Sequence, residues 1–305
     1  MTTANIVGNG KYTYEVHTDW AKLPSGWTMP AAAVYGDSKD RIYCFNRNRD
    51  HQIVIFDKDG NYLSHWADLD IAFPHAIYID KQDHVWLVDR DNCQIHEYTT
   101  EGKLLRSLGK KGYRSDTGVD NTKFDSNGWK NVVRGAEPFN LPAGIAVNDA
   151  GEVFIADGYA NARVHKFTPD FKLIKSWGEP GSGPGQFHLP HGAWIDRRGR
   201  LLIADRENNR IQVFTQNGDY ITTFPSELIG AAVMYVDNED TIYVAEHNGG
   251  LVSVLDLDGN RLAQWGSLTH RSCHGIWVDS HKDLYVVEPF EGSQGRTVVK
   301  FVRRG

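Results

Sequence analysis

Short apolar segments alternate with polar turns along almost the whole chain. In one recurring pattern, an apolar strand that ends near Asp is followed by a polar turn and a second apolar strand, which usually ends in Asp or Glu. PHAIYIDKQDHVWLVDR, from Pro74, and PHGAWIDRRGRLLIADR, from Pro190, are two copies. Because a short apolar run bounded by turn residues is typical of a buried strand, each copy predicts a pair of strands. The six copies begin at Pro30, Pro74, Pro142, Pro190, Gly230 and Cys273.

Each pair of strands continues into a third and a fourth, joined by a turn that contains glycine. Residues 52–66 and 210–224 are two examples. Four short antiparallel strands in a repeat of about 40 to 50 residues are typical of a β-propeller blade. The sequence therefore predicts an all-β, six-bladed β-propeller that forms a single domain over residues 1–305.

The N-terminus is predicted to close the ring of blades. The last copy supplies only three strands, whereas residues 12–20 have the pattern of an outer strand. We expect this segment to complete the sixth blade, because closure protects edges that would otherwise be open.

An inserted loop is predicted at about residues 109–139, where the spacing between copies is longest. The segment is polar and rich in Gly and Lys. Because a loop this long in a compact domain is usually functional or mobile, we expect it to cover one mouth of the central channel. A surface excursion without a role fits the pattern nearly as well.

Composition and charge narrow the classes of protein and of partner. Of the 305 residues, 40% are hydrophobic and 24% are charged, which excludes disorder and coiled coil as main features. The net charge is −6 and the basic residues are scattered singly, so we expect neither nucleic acid nor a membrane as a partner. A small-molecule substrate is expected instead. The sequence does not determine the oligomeric state.

The chain is expected to be cytoplasmic. No segment approaches the about 18 apolar residues of a membrane span, and the first residues lack the features of a signal peptide. Cys44, Cys93 and Cys273 contain no CxxC pair, and we interpret them as reduced thiols rather than a disulfide framework.

Three histidines occupy one position in alternate copies. Neighbouring blades of a six-bladed ring are related by about 60°, so alternate blades are related by about 120°, and the first strand lines the channel. We therefore expect the three imidazoles to converge and to bind zinc with one site open, although iron, cobalt or nickel accepts the same ligands. Separate hydrogen-bonded histidines are the alternative. The second residues of the copies are Ala31, His75, Ala143, His191, Ala231 and His274.

A second set of polar residues follows the second strands. Arg47 and Arg206 are candidates to hold a carboxylate or an oxyanion, because a guanidinium can bind such groups in a bidentate way. Tyr159 could act as a base if nearby cations and a metal lower its pKa from about 10. Ion pairing between blades for the arginines, and packing for Tyr159, are the alternatives.

The segments 139–167 and 176–214 resemble NHL repeats. More narrowly, the strings DGYAN, PHG and ADREN resemble bacterial relatives of peptidyl-α-hydroxyglycine α-amidating lyase, and the resemblance extends over nearly the whole chain. It implies an NHL-type six-bladed propeller with zinc held by His75, His191 and His274. It also implies Tyr159 as the catalytic tyrosine and Arg47 and Arg206 as active-site arginines.

The resemblance further implies a zinc-dependent carbon–nitrogen lyase. That family cleaves an N-acyl-α-hydroxyglycine into an amide and glyoxylate. Zinc would polarise the α-hydroxyl, Tyr159 would take its proton, and the arginines would hold the carboxylate and the developing charge. We expect a smaller hydroxylated amide or a related metabolite as the physiological substrate.

One departure from the family concerns calcium. The family's structural calcium uses an aspartate directly after the third zinc histidine, and Gly275 stands at that position here. The resemblance therefore gives no support for a structural calcium.

Two other functions stay open, namely a metal-dependent hydrolase or lactonase-like propeller and a non-enzymatic NHL binding module.

Overall fold

The computed structural model describes residues 5–123, 125–266, 272–289 and 298–305. Regular structure in these residues consists of β-strands and three short 3-10 helices, Arg49–His51, Gly128–Asn131 and Arg206–Asn208. None of the helices in the described part of the chain has the length and apolarity that a membrane crossing requires. The chain divides into two compact units, residues 71–233 and residues 1–70 with 234–305.

Residues 71–233 contain three consecutive sheets, each with four antiparallel strands that neighbour one another in chain order. The second sheet consists of β7 (Pro74–Ile79), β8 (Val85–Asp89), β9 (Gln94–Tyr98) and β10 (Leu104–Leu108). The third consists of β11 (Pro142–Val147), β12 (Val153–Asp157), β13 (Arg163–Phe167) and β14 (Leu173–Trp177). The fourth consists of β15 (Pro190–Ile195), β16 (Leu201–Asp205), β17 (Arg210–Phe214) and β18 (Tyr220–Thr223).

The other unit contains the first and sixth sheets and most of the fifth. The first sheet consists of β3 (Ala31–Gly36), β4 (Ile42–Asn46), β5 (Ile53–Phe56) and β6 (Tyr62–Trp66). The fifth consists of β19 (Ala231–Val236), β20 (Ile242–Glu246), β21 (Leu251–Leu255) and β22 (Arg261–Gly266). The sixth consists of β1 (Ile6–Asn9), β2 (Tyr12–His17), β23 (Gly275–Val278), β24 (Leu284–Val287) and β25 (Val298–Arg303).

Six sheets of this kind confirm the predicted fold class, an all-β, six-bladed β-propeller. The burial of the strands explains why the pattern of apolar residues in the sequence predicts this fold. The second strands, such as β8 and β12, are buried at all five positions, so they read as continuous apolar runs, whereas β10 is exposed at four of its five. The apolar core lies between adjacent sheets. The extent of a single domain over 1–305 stays a prediction.

The aspartate that recurs after the first strand of the repeats forms the turn to the second strand. Asp80 accepts hydrogen bonds from the backbone N–H groups of Gln82 and His84, each at 2.9 Å. Asp196 makes the corresponding two contacts in the fourth sheet. Because an aspartate side chain can satisfy the backbone of a tight turn, these residues serve the hairpin and not the chemistry.

The N-terminal strand completes the sixth sheet, as predicted. β2 pairs antiparallel with β25, and Tyr14 lies opposite Arg303. β1 adds a fifth strand beyond β2, which the repeat pattern did not predict. Strands from opposite ends of the chain therefore share one sheet.

Removal of residues 1–18 should destabilise the protein, because it removes β2 and the Tyr14 ring, which is 0% exposed. We expect the free energy of unfolding in urea to fall by roughly 3 kcal/mol or more, the usual cost of deleting a large buried side chain. Removal of residues 1–10 alone should cost much less, since β1 is exposed at three of its four positions. Equal stability of the two truncated proteins would contradict a stabilising role for β2.

Candidate active site

His75 and His191 come together within the unit of residues 71–233. Each is the second residue of the first strand of its sheet, in β7 and β15, and they are only 1% and 0% exposed. Their ligand-capable nitrogens lie within 4.8 Å of each other, and the ring centroids are 4.9 Å apart. Two of the predicted metal ligands are therefore neighbours.

A backbone carbonyl determines the tautomer of each of these histidines. Nδ1 of His75 lies 2.6 Å from the carbonyl oxygen of Ala143, and Nδ1 of His191 lies 2.9 Å from that of Ala232. Because a carbonyl oxygen only accepts hydrogen bonds, each Nδ1 must carry the proton and donate it. The lone pair is then on Nε2, the arrangement that is usual around a metal-bound histidine.

Glycine allows these first strands to approach one another. A Cβ atom added at Gly144 in β11 would lie 2.2 Å from the carbonyl oxygen of His191. One added at Gly192 in β15 would lie 2.6 Å from that of Ala232. Both distances are too short for any side chain, so the absence of Cβ at these positions permits the histidine contacts.

His274 has the same local environment in the other unit. Its Nδ1 lies 2.7 Å from the carbonyl oxygen of Ala32, and the side chain is buried. The His274 ring lies 5.7 Å from that of His247, which follows β20 and contacts the Ser272 hydroxyl at 2.6 Å. The hydrogen bond to a carbonyl again leaves the lone pair of His274 on Nε2.

Gly275, directly after His274, occupies a crowded position. An added Cβ would lie 2.7 Å from the side chain of Val287 and 3.1 Å from the backbone of Ala33. A residue with a side chain would require these neighbours to move. This crowding is a steric reason for glycine at the position where the amidating-lyase family has an aspartate.

Tyr159 lies against the histidine pair in residues 71–233. Its Oη is 3.1 Å from Nε2 of His75 and 3.3 Å from Nε2 of His191. Gly158 precedes it, and a Cβ there would lie 2.3 Å from the carbonyl oxygen of Pro190. The Asp-Gly-Tyr string thus brings the phenol to the nitrogens that carry the lone pairs.

Two arginines flank the Tyr159 ring. Arg206 donates from Nη1 to the phenol oxygen at 3.3 Å, and its guanidinium carbon is 5.4 Å from the ring centroid. The guanidinium carbon of Arg90 lies 5.0 Å from the same centroid and 3.7 Å from that of Phe73. Sequence reasoning selected Arg206 and missed Arg90, although both directly follow the Asp that ends a second strand.

Arg47 lies apart from these residues in the chain's other unit. It follows β4, and its Nη1 donates to the carbonyl oxygen of Pro289 at 3.4 Å. The structure thus divides the predicted site residues, with Arg47 and His274 in residues 1–70 and 234–305, and His75, His191, Tyr159 and Arg206 in residues 71–233.

The carboxylates that end the second strands hold their own sheets together. Asp89 accepts from the backbone N–H of Ala72 at 2.8 Å and from that of Phe73 at 3.0 Å. Asp205 accepts from the N–H of His188 and pairs with Arg210 at 2.8 Å, and burial raises the pKa of its carboxyl above the ordinary value. These acids are structural.

The inserted segment 109–139 packs on the turn that carries Tyr159. The Thr117 hydroxyl donates to the carbonyl oxygen of Ala160 at 2.7 Å, and Ala136 N–H donates to the Asn161 side chain at 3.2 Å. Asn140, just after the segment, donates to the carbonyl oxygen of Ser115 at 2.9 Å. The insertion therefore supports the turn that carries Tyr159, while coverage of a channel mouth stays a prediction.

A second group of possible metal ligands, Asp80, His84 and Glu97, lies in the second sheet. His84 contacts Glu97 at 2.8 Å, and Glu97 also pairs with Arg106. We interpret the group as ion pairs, because Glu152 and Lys166, at the corresponding positions of the third sheet, also form an ion pair. The three cysteines are free, as predicted. All three are also buried, and burial raises the pKa of Cys93 to about 12.

Comparison with known proteins gives a family model and several relatives. A model described as NHL repeat matches residues 139–167 and 187–214. NHL repeat-containing protein 3 of Homo sapiens is 28% identical over 260 residues, which are 80% of this chain and 70% of that protein. Peptidyl-alpha-hydroxyglycine alpha-amidating lyase 1 of Drosophila melanogaster is 30% identical over 184 residues, which are 56% of this chain and 30% of that protein.

A solved structure agrees with the fold. Streptogramin B lyase superimposes with a TM-score of 0.63 at 12% sequence identity, over 96% of this chain and 88% of that chain. At this identity the likeness concerns the fold alone.

Substitution of Thr117 by valine should loosen the turn that carries Tyr159. Thr117 is 0% exposed, so its loss leaves the Ala160 carbonyl without that donor and should cost about 1 to 3 kcal/mol of unfolding free energy. Amide exchange at residues 157–161 should speed up. Thr122→Val is the control, since the exposed Thr122 hydroxyl donates to the exposed Asp120 side chain. Unchanged exchange in the Thr117 variant would contradict the supporting role.

Proposed function

We propose, from the match to NHL repeats and the sequence similarity to amidating lyases, that this chain is a metal-dependent carbon–nitrogen lyase. The substrate is an α-hydroxylated amide of the N-acyl-α-hydroxyglycine type. The products are the amide and an aldehyde such as glyoxylate. The observation that carries the proposal is the repeated histidine environment, in which each Nδ1 is tied to a backbone carbonyl.

The histidine donor set fits a divalent transition metal, with zinc as the first candidate. His75, His191 and His274 are all buried, and each directs its proton to a carbonyl, so three neutral Nε2 atoms carry lone pairs. Alternate blades of a six-bladed propeller are related by about 120°, which supports His274 as the third ligand. When bound, the metal would act as a Lewis acid on the substrate hydroxyl.

Tyr159 is the proposed base. Its oxygen lies beside the Nε2 atoms of His75 and His191, so a substrate hydroxyl held next to these histidines would be within its reach. Arg206 donates to the same oxygen and would stabilise its phenolate form, which is the form that can accept the hydroxyl proton. Tyr159 takes the proton, the carbonyl of the aldehyde forms, and the C–N bond breaks. The proton then passes to the amide nitrogen, so no water is consumed.

The arginines are proposed to hold the substrate carboxylate. Arg206 is 7% exposed and adjoins Tyr159, so it can bind an anion next to the reacting carbon. Arg47 has the corresponding position after the second strand of the first sheet, and we propose the same role for it on the basis of the resemblance.

A non-enzymatic binding module is the second candidate function. It is favoured by the similarity to NHL repeat-containing protein 3, whose name states repeats and no activity. A binding module requires neither a metal nor a base. The two functions therefore differ in metal content and in turnover.

The purified protein should contain about one transition metal ion per chain and release glyoxylate from N-acetyl-α-hydroxyglycine. His191→Ala should lose most of the metal and the activity, because it removes one of three ligands. Elemental analysis and a glyoxylate assay measure these effects, with the exposed His281→Ala as the control. Metal-free wild-type protein that releases no glyoxylate would favour the binding module. A carboxylic acid product in place of the intact amide would indicate a hydrolase.

Tyr159→Phe should lower kcat by about a hundredfold to ten-thousandfold, the usual contribution of a general base. Metal content should stay at the wild-type level, because the histidines are unchanged. Steady-state kinetics and elemental analysis together test this, and Tyr78→Phe serves as a control that removes a phenol donating to a backbone carbonyl of β11. Wild-type kcat in the Tyr159 variant would remove Tyr159 from the proton transfer.

A further inference from the structure

Arg90 places a second buried cation beside Tyr159. It follows β8 directly and is 4% exposed. Its guanidinium carbon lies 3.7 Å from the Phe73 ring centroid and 5.0 Å from that of Tyr159. A guanidinium held between aromatic side chains has a defined position, which suits recognition of a planar anion.

The environment of Arg90 repeats that of Arg206. Each arginine donates from Nε to the acidic residue that follows it, Arg90 to Asp91 at 2.7 Å and Arg206 to Glu207 at 2.8 Å. Since Nε is used in this way, the Nη groups carry the other donors of each guanidinium. The two arginines come from the second and fourth sheets, and Tyr159 comes from the third sheet between them in chain order.

The burial of Arg90 and Arg206 favours the binding of an anion between them and Tyr159. The arginine side chains are 5% and 8% exposed, whereas those of their partners Asp91 and Glu207 are 30% and 19% exposed. The acids are thus more hydrated than the cations that they pair with. An anion beside Tyr159 would lie near both buried guanidinium groups and would be stabilised by charge-assisted hydrogen bonds to them.

We propose that Arg90 binds the carboxylate of the substrate together with Arg206, and that it makes this site select amides whose reacting carbon bears a carboxylate. The identity of the substrate rests on the proposed function, whereas the binding of a small carboxylate does not. Arg90 is then a specificity residue, and its loss should affect anionic ligands far more than neutral ligands of the same shape.

Calorimetric titration of the purified full-length protein tests this directly. The probes are N-acetylglycine, which lacks the reactive hydroxyl, and its neutral counterpart N-acetylglycinamide. Arg90→Gln should weaken binding of N-acetylglycine about tenfold or more, because a charge-assisted hydrogen bond is lost. Arg90→Lys should be intermediate, since lysine keeps the charge and loses the planar fork. Arg134→Gln, at an exposed ion pair with Asp116, is the matched control and should bind like wild type.

The outcomes separate this inference from the lyase proposal. Equal weakening of both probes in Arg90→Gln, unchanged binding of N-acetylglycine, or a wild-type protein that binds neither probe would each overturn the inference. If Arg90→Gln does not fold, Arg90→Lys gives the comparison between the two probes. Charge-selective binding by a wild-type protein that releases no glyoxylate would support the Arg90 site and remove the lyase.

Discussion

The hydrogen bond from a histidine Nδ1 to a backbone carbonyl of another sheet is the contact on which the candidate site depends. It sets the tautomer, and the tautomer decides which nitrogen can bind a metal. The bond forms because the first strands approach closely where glycine stands. The three bonds join His75 to Ala143, His191 to Ala232 and His274 to Ala32.

Carboxylates and guanidiniums have different tasks at the ends of the second strands. Asp89 and Asp205 accept backbone N–H groups of the segments that lead into their sheets, so they hold the fold. Arg90 and Arg206, one residue later, extend to the Tyr159 ring instead. Side chains that hold the fold and side chains of the candidate site thus alternate within two residues of sequence, because successive residues at a strand end point in different directions.

The similarity to NHL-repeat proteins concerns the scaffold more than the chemistry. The matched repeats cover 139–167 and 187–214, which contain Tyr159, His191 and Arg206, while His75 and His274 lie outside them. A fold of this kind supports many functions, so a function can be inferred only from the residues of the site. The insertion adds to the site indirectly, since Thr117 bonds to the residue after Tyr159.

The sequence by itself determined the six repeated sheets, the completion of the last sheet by β2 and the alternation of His75, His191 and His274. Local patterns of apolar residues specify strand burial and repeat period, so these features can be predicted from them. It did not single out Arg90 among the residues that follow the second strands. Tertiary structure alone decided that Arg90 lies against Tyr159, that β1 adds a strand and that Thr117 supports the Tyr159 turn. These contacts join residues far apart in the chain, and no local pattern specifies which sheets bring them together.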